Sequence, residues 1–225
     1  MNYLVSREFN SLYIFIDIVW LVIYGGLLFY FKKRLAVIAG VLAGIIYFIV
    51  DYGIFYLLLH ARTVHGANPL LFLFWLSMSY GFTNFAWIWI LLDNDKNKLE
   101  WSLLPILGWV AIGQAAMNFG KGFPVISISR TVSSYHGAMA IILLVGYLFL
   151  IVRKLQNKED VNLFYLLAIG IGVQFAWELS LLLNGIRPPQ WQPLVINSLI
   201  ETNLGMPYIY LIHKAITAKT AEHVR

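Results

Sequence analysis

The chain has 225 residues, of which 60% are hydrophobic, 16% aromatic and only 12% charged. Ordinary soluble domains contain about 25% charged residues, so this chain has too few ionic groups to cover the surface of a soluble fold. A cytosolic globular enzyme, a disordered segment and a nucleic-acid-binding protein are therefore excluded, although the formal net charge is +5. Because cysteine is absent, disulfides, a thiolate nucleophile and a cysteine-type metal site are excluded as well.

Apolar stretches long enough to cross a bilayer, which takes about 20 helical residues, occupy almost the whole chain. Short polar connectors separate them, such as Lys32, Lys33 and Arg34 after the first stretch. The sequence therefore predicts an all-α, multi-pass integral membrane protein in which residues 1–225 form one seven-helix transmembrane domain. In chain order, the predicted spans are 11–31, 35–60, 70–92, 101–119, 131–152, 161–183 and 192–213.

The basic residues predict the orientation of the bundle. If the N-terminus is outside, the inner connectors and the tail contain eleven of the sixteen Lys and Arg residues. Membrane proteins concentrate Lys and Arg on the inner side, so the distribution predicts an N-out, C-in topology. A basic segment does not precede the first span, and we therefore expect no cleavable signal peptide. The five cations on the predicted outer side are Arg7, Arg62, Lys121, Arg130 and Arg187.

Four carboxyl groups fall inside the predicted spans, namely Asp17, Asp51, Glu178 and Glu201. A carboxylate at membrane depth costs at least ~2.5 kcal/mol, so each of these residues requires an explanation. At about 1.5 Å per helical residue, Asp51 and Glu201 both lie roughly 14 Å from the outer ends of their spans. Asp17 and Glu178 fall in the same outer half. The four acids therefore predict one polar cavity in that half of the bundle.

Further polar residues fall in this predicted layer, among them Asn197 and His136. Asn197 precedes Glu201 by four residues on the same helix face, and His136 lies near the outer end of the fifth span. Hydrogen bonds between membrane helices explain a single Asn or Gln at such a position. They do not explain Asp51 and Glu201, because the middle of no predicted span contains a Lys or Arg that could neutralise these acids.

The acids are therefore expected to act as an acid–base pair or as a proton relay. Desolvation favours a neutral carboxylic acid, which can donate a proton, while a second carboxyl group accepts one. Aromatic rings surround the acids in the sequence, and a ring face stabilises a positive charge in a dry pocket. The candidate rings are Tyr52, Trp177, Trp20 and Tyr208. The five histidines are scattered, so neither a metal site nor a cofactor is expected.

Several different short motifs lie around these acids and between them along the full length of the chain. In the first span, Trp20 and Tyr24 precede an aromatic and basic segment at residues 31–34. In the second, Asp51 precedes Tyr52, Phe55, Tyr56 and His60. The segments 100–102 and 134–138 follow, and in the last span Glu201 precedes Gly205, Tyr208, Tyr210 and Lys214. In this order the motifs resemble those of the paxilline-type integral-membrane terpene cyclases of fungal meroterpenoid and indole-diterpene pathways. The chain departs from that family at three positions: Asp51 replaces a usual Glu, Glu201 a usual Asp, and Val50 a usual Trp.

The resemblance implies an enzyme that starts the cyclisation of a prenylated, often epoxidised, isoprenoid lipid by protonation. It implies Asp51 and Glu201 as the catalytic carboxyl groups. The expected partners are the lipid bilayer and the isoprenoid substrate. Glu178, Asp17, Asn197 and His136 would support the site.

Other functions fit the same residues. A proton-coupled small-molecule transporter or channel would use the buried acids as a proton relay. A scaffold protein would use the small-residue face formed by Gly25, Gly26, Gly40 and Gly44 to bind another helix. A retinal photoreceptor is disfavoured, because it needs a Lys in the middle of the last span and Lys214 lies at the inner end.

Overall fold

The computed structural model describes residues 3–132 and 135–223, except for the side chains of residues 3–5, 132, 135, 136, 192, 193 and 220–223. This part of the chain is mostly helical. Helices α1 and α2 are followed by a π-helical continuation of α2, and a second π-helical segment joins α3 to α4. The helical bounds are α1 Ser11–Tyr30, α2 Arg34–Phe48, its π-helical continuation Ile49–Leu58, α3 Pro69–Ser77, the second π-helical segment Met78–Phe82, α4 Thr83–Leu92, α5 Lys98–Phe119, α6 Tyr135–Leu155, α7 Leu163–Leu183, α8 Trp191–Ile200, a 3-10 turn Asn203–Gly205 and α9 Met206–His223.

Five of the described helices are long and apolar enough to cross a membrane. They are Ser11–Tyr30, Arg34–Leu58, Lys98–Phe119, Gly137–Leu155 and Leu163–Leu183. Large apolar side chains such as Val22, Ile46 and Leu58 are exposed on them, as expected for surfaces in contact with lipid. These five helices agree with predicted spans one, two, four, five and six.

Neither of the other two predicted spans is a single regular α-helix. The third corresponds to one helical run, Pro69–Leu92, with the second π-helical segment in its middle. The prediction of an unbroken helix over residues 192–213 is wrong, because α8 ends at Ile200 and α9 begins only at Met206. Pro207 explains the break, since a proline has no N–H for a helical hydrogen bond and fits best in the first turn of a helix.

Three strands form an antiparallel sheet, so the all-α prediction is wrong in this respect. The strands are β1 Tyr3–Asn10, β2 Arg62–His65 and β3 Val125–Val132, and β3 lies in the centre of the sheet. β1 pairs with β3 from Tyr3–Val132 to Asn10–Val125, and β2 pairs with β3 from Arg62–Arg130 to His65–Ser127. All three strands come from segments that the prediction assigns to the outer side.

The sheet has one polar face and one face that packs on the helices. Because successive strand residues point to opposite faces, the register places Arg7, Arg62 and Arg130 on the same face as Phe9 and Ile128. Phe9 and Ile128 are buried. The ring centroid of Phe9 lies 5.2 Å from that of Trp75 on α3. Three arginines therefore lie on the face of the sheet that is turned toward the helices.

The chain divides into two compact units. Unit 1 comprises residues 1–133 and 176–191, and unit 2 comprises residues 134–175 and 192–225. The single-domain organisation stays a prediction.

Small residues bring two helices of unit 1 together. A Cβ atom at Gly40 would lie 2.6 Å from the backbone oxygen of Phe82, and one at Gly44 would lie 2.5 Å from Sδ of Met78. Helix α2 therefore approaches the second π-helical segment at a distance that only glycine allows. These glycines serve internal packing, which is the ordinary role of a small-residue face in a membrane bundle.

Unit 2 contains an ion-pair cluster around the buried Glu159, which lies in the connector between α6 and α7, and both cations of the cluster are partly exposed. Arg153 Nη2 donates to Glu159 Oε1 at 3.1 Å, and Lys214 Nζ donates to Oε2. The hydrogen bond from Lys214 is the main cause that lowers the pKa of Glu159, and the same bond raises the pKa of Lys214.

This cluster predicts a pH-dependent contribution to stability. Because the folded-state pKa of Glu159 is lowered, its stabilising effect is present near neutral pH and is lost as the pH falls through that pKa. The effect of Lys214 is lost only as the pH rises through its raised pKa. We expect Glu159→Gln to lower the thermal midpoint by about 2–4 °C at pH 7 and by less at acid pH. Asp160→Asn, at the exposed neighbouring acid, is the control. Equal losses for Glu159→Gln at both pH values would contradict the assignment.

Candidate functional site

Asp51 lies in the π-helical continuation of α2 and is 3% exposed. Arg62 Nη2 on β2 donates to Asp51 Oδ1 at 2.5 Å, and the Tyr80 hydroxyl donates to Oδ2 at 2.9 Å. The prediction that Asp51 has no cationic partner is therefore wrong. Its partner is one of the five predicted outer cations, which the fold brings back over the helix ends.

The contact between Asp51 and Tyr80 joins the two π-helical segments of unit 1. Asp51 belongs to the first segment and Tyr80 to the second. A π-helical turn is rare and is often found at functional sites, because it redirects side chains that a regular helix would point elsewhere. Tyr80 was not predicted from the sequence, where nothing distinguishes it from the other aromatic residues.

Glu178 on α7 is also held by arginines. Arg7 Nη2 on β1 lies 3.0 Å from Glu178 Oε1, and Arg187 Nε lies 3.0 Å from Oε2. Arg187 Nη2 donates a further hydrogen bond to Oε1 at 3.3 Å. Glu178 and Arg187 are almost completely buried, at 0% and 2% exposure. Two guanidinium groups therefore share the carboxylate of Glu178.

Aromatic rings connect these two charged clusters. Tyr80, which binds Asp51, stacks on Trp177 with 6.2 Å between ring centroids. Trp177 directly precedes Glu178 and contacts Trp109 edge to face, with a centroid distance of 5.0 Å. Asp51, Tyr80, Trp177 and Glu178 therefore lie in one continuous region of unit 1, which we call the arginine–carboxylate site together with Arg7, Arg62 and Arg187.

Two other predicted residues of unit 1 lie on α1. Asp17 is completely buried, and its Oδ2 accepts a hydrogen bond from Trp75 Nε1 at 2.9 Å. Trp20 stacks on Tyr24 and packs against α5, where a Cβ atom at Gly108 would lie 2.6 Å from the indole ring. Trp20 therefore contributes to the contact between α1 and α5.

Tyr52 lies in a column of stacked rings on the helix that carries Asp51. Its ring centroid is 5.4 Å from that of Phe48 and 5.6 Å from that of Tyr56. The column borders a groove of about 440 Å³ next to the N-terminus of α3. The groove is lined by Tyr52, Tyr56, Asn68, Pro69, Leu70 and Leu71.

Glu201 belongs to unit 2 and lies in the turn that interrupts the last predicted span. Gln174 Nε2 donates to Glu201 Oε2 at 3.1 Å, and the Thr202 hydroxyl donates to Gln174 Oε1 at 2.5 Å. The backbone N–H of Glu201 donates to the backbone carbonyl oxygen of Asn197 at 2.8 Å. The Tyr208 hydroxyl, on α9, donates to the Ile142 oxygen at 3.0 Å. Glu201 therefore accepts a hydrogen bond from the side-chain amide of Gln174.

The predicted site residues are divided between the two units. Asp51, Glu178, Asp17 and the rings of Trp20, Tyr52 and Trp177 belong to unit 1, whereas Glu201, Asn197 and Tyr208 belong to unit 2. The His136 side chain lies outside the described residues. The single cavity containing all four acids stays a prediction. Among the described residues, no group of three His, Asp or Glu side chains could hold a metal ion.

The arginine–carboxylate site can accept and transfer protons within an apolar region. The Asp51 carboxyl group and the Tyr80 hydroxyl are hydrogen-bonded and carry exchangeable protons, and an aromatic ring such as that of Tyr80 can stabilise a nearby cation. Arg7 and Arg62 were not predicted as partners because their positions depend on strand alternation in segments predicted as connectors, and Arg187 lies in the connector between α7 and α8. No protein-family model, curated protein or solved structure matches the chain.

Proposed function

We propose that the chain is a membrane-embedded enzyme of the terpene cyclase type, which cyclises a prenylated isoprenoid lipid by proton transfer. The observation that carries this proposal is the Asp51 carboxylate held by Arg62 and Tyr80 in a helix apolar enough to cross a membrane. The ring of Tyr80, which donates to Asp51, stacks on Trp177, and aromatic rings near a carboxylate can stabilise a carbocation intermediate. The groove beside Tyr52 and Tyr56 also has Leu70 and Leu71 in its lining, which offer contacts for a prenyl chain.

The proposed topology has seven spans with the N-terminus outside. The run Pro69–Leu92 and the pair α8 and α9 would add two spans to the five long apolar helices. Because consecutive spans cross the membrane in opposite directions, the N-terminus and every second connector lie on the same side of it. The sheet supports this arrangement, because its strands come from the N-terminus and from the connectors after the second and fourth spans. The backbone N–H of Glu8 on β1 also donates to the carbonyl oxygen of Ile186, so the connector after the sixth span lies on the same side as the sheet.

Asp51 is paired with a guanidinium, and we assign it as the acceptor of the proton that leaves the cationic intermediate. Glu201, which belongs to unit 2, accepts a hydrogen bond from Gln174 and is the second carboxyl group to be tested. The substrate gains one proton at an alkene or epoxide and loses one proton to Asp51, so the product is an isomer of the substrate, and Asp51 releases its proton before the next turnover.

The proposal predicts that loss of the Asp51 carboxylate abolishes turnover. We expect Asp51→Asn to lower product formation by roughly 10²–10⁴-fold, since it removes a general base, and Tyr80→Phe to lower it less. The full chain would be reconstituted in nanodiscs with farnesylated and geranylgeranylated phenols, with and without a terminal epoxide. Liquid chromatography with mass spectrometry detects a product of unchanged mass and new retention time.

The matched control is Asp93→Asn, which neutralises an exposed acid in the connector between α4 and α5. Glu201→Gln tests the second carboxyl group separately. Size-exclusion chromatography and tryptophan fluorescence establish that each variant is folded. Wild-type turnover that persists in folded Asp51→Asn and Tyr80→Phe variants would contradict the assignment of the site, and no product from any of these probes would contradict the proposed reaction.

A proton-coupled transporter is the second candidate, and the break in the last predicted span favours it. Transporters often place substrate and ion sites at discontinuous helices, and Glu201 lies in the turn between α8 and the 3-10 segment. The same preparation in liposomes with an entrapped pH-sensitive dye separates the two functions. Proton flux that Glu201→Gln abolishes, without any cyclised product, would favour transport. Product formation without flux would favour the cyclase.

A further inference from the structure

Asp17 on α1 has a carboxyl group that the described part of the chain does not neutralise. Its side chain is completely buried, and its helix is long and apolar enough to cross a membrane. The Trp75 indole N–H donates to Oδ2, whereas Oδ1 accepts no hydrogen bond from the described residues. No Lys or Arg among these residues forms an ion pair with Asp17. In this respect Asp17 differs from Asp51 and Glu178, which are both bound by arginine.

The Ser79 hydroxyl faces this carboxyl group from the second π-helical segment. Ser79 is completely buried and lies beside the Asp17 side chain. Its Oγ nevertheless forms no direct hydrogen bond within the part of the chain that the structure describes, and the same holds for Asp17 Oδ1. Nearly all buried polar atoms in folded proteins have a partner, and where no protein group is near, the partner is a bound water or ion. Two buried oxygens that lie close together without a direct hydrogen bond therefore indicate a bound species between them.

Hydroxyl groups without a partner continue along the same helical run. Thr83 follows Ser79 by four residues, which places the two side chains on the same face. Beside Thr83, the ring of Phe82 contacts that of Tyr24 on α1 edge to face, with a centroid distance of 6.0 Å. Thr83 Oγ1 and the Tyr24 hydroxyl are buried, and neither has a hydrogen-bond partner among the described residues. The contact between α1 and this run therefore has Asp17 at one end and further hydroxyl oxygens along its length.

A cation accounts for these oxygens better than a proton does. A proton on Asp17 would neutralise the carboxyl group, but it would donate a single hydrogen bond and satisfy one neighbouring oxygen at most. A cation binds several oxygen ligands at once, and carboxylate and hydroxyl oxygens suit hard cations. Buried charges in proteins are paired or bind a metal ion. One carboxylate balances a monovalent cation, whereas it would leave half the charge of a divalent cation uncompensated in the apolar interior.

We propose that Asp17 and Ser79 bind a monovalent cation of the sodium type between α1 and the second π-helical segment. Thr83 is the next oxygen along the face, and water would complete the ligand set. Consecutive side chains of the π-helical segment reach two different acids, since Ser79 lies beside Asp17 and Tyr80 donates to Asp51. A bound cation would therefore hold in place the segment that carries the hydroxyl partner of Asp51. The inference concerns binding alone, so it stands or fails independently of the proposed cyclisation.

The experiment measures the thermal midpoint of the full-length protein in a neutral detergent by tryptophan fluorescence. Sodium chloride replaces N-methylglucamine chloride at a constant ionic strength of about 0.15 M, so that general screening does not change. We expect sodium to raise the midpoint by about 2–4 °C, because a ligand that binds only the folded state stabilises it. Equilibrium dialysis with radioactive sodium measures the binding directly. Asp17→Asn removes the charge and should abolish both effects.

Ser79→Ala keeps the carboxylate and removes one oxygen ligand, so we expect the affinity for sodium to fall by about tenfold. This variant also keeps the test valid if Asp17→Asn does not fold. The matched control is Ser77→Ala. Ser77 is also completely buried and its Oγ also lacks a partner in the described chain, but residues two apart do not share a helix face. Ser77→Ala should therefore bind sodium like the wild type.

Three results would overturn the proposal. The first is a wild-type protein whose midpoint does not depend on sodium, which is the result expected if Asp17 is neutralised by a proton. The second is a sodium effect of equal size in the wild type and in folded Asp17→Asn. The third is an equal affinity for sodium in Ser79→Ala and Ser77→Ala.

Discussion

Glu178→Gln is expected to destabilise the folded protein by about 3–5 kcal/mol, because it leaves two buried guanidinium groups without their shared carboxylate. Arg7 and Arg187 both lie within hydrogen-bonding distance of Glu178. Arg187 cannot reach solvent without disturbing the connector after α7, since it is 2% exposed, and the Arg7 side chain, on the inner face of β1, is only 11% exposed. Unfolding by titration with sodium dodecyl sulfate, followed by tryptophan fluorescence, measures the change in free energy.

The control for this variant is Glu100→Gln, which removes an exposed acid in the first turn of α5. Its effect should be within about 0.5 kcal/mol of zero, as for most surface substitutions. A second variant isolates the cause. Adding Arg7→Gln to Glu178→Gln removes one of the two uncompensated cations and should restore part of the lost stability. A Glu178→Gln protein as stable as Glu100→Gln would show that this carboxylate does not compensate the buried arginines.

Arg62→Gln is expected to destabilise the protein by a similar amount, about 3–5 kcal/mol, because it leaves Asp51 charged and buried with only Tyr80 as a partner. Asp51→Asn produces the opposite imbalance and leaves Arg62 unneutralised. The double variant removes both charges together. It should therefore lose less stability than the sum of the two single changes, with an interaction energy of about 1–3 kcal/mol.

A matched pair on the other face of the same two strands serves as the control. Thr63 Oγ1 and Ser129 Oγ are hydrogen-bonded at 2.5 Å and are exposed, so water can replace this bond. The cycle formed by Thr63→Val and Ser129→Ala should give an interaction energy below about 0.5 kcal/mol. Equal interaction energies in the two cycles would contradict a buried ion pair. A folded but inactive double variant of Asp51 and Arg62 would also show that Asp51 is needed for turnover and not only for stability.

The last predicted span is broken at Glu201, although its average hydropathy predicts one continuous helix. Residues 192–213 are apolar enough to be predicted as one span, yet Pro207 and Gly205 lie in its middle. A proline allows a helix to begin there more readily than it allows one to continue. The break was therefore readable from the sequence, although its consequence for Glu201 was not. That residue changes from a position on a helix face to a position in a turn, bound to Gln174.

The sequence by itself determined the apolar helices and the positions of four acids within apolar segments, because both depend on properties of neighbouring residues along the chain. Hydropathy over about 20 residues and a rise of about 1.5 Å per residue suffice for that. Tertiary structure alone decided which charges meet. Arg7 and Glu178 are 171 positions apart in the chain, and Arg62 reaches Asp51 only because β2 folds back against β3. Buried charges must be compensated within a few ångströms, and only the folded chain specifies which groups are that close.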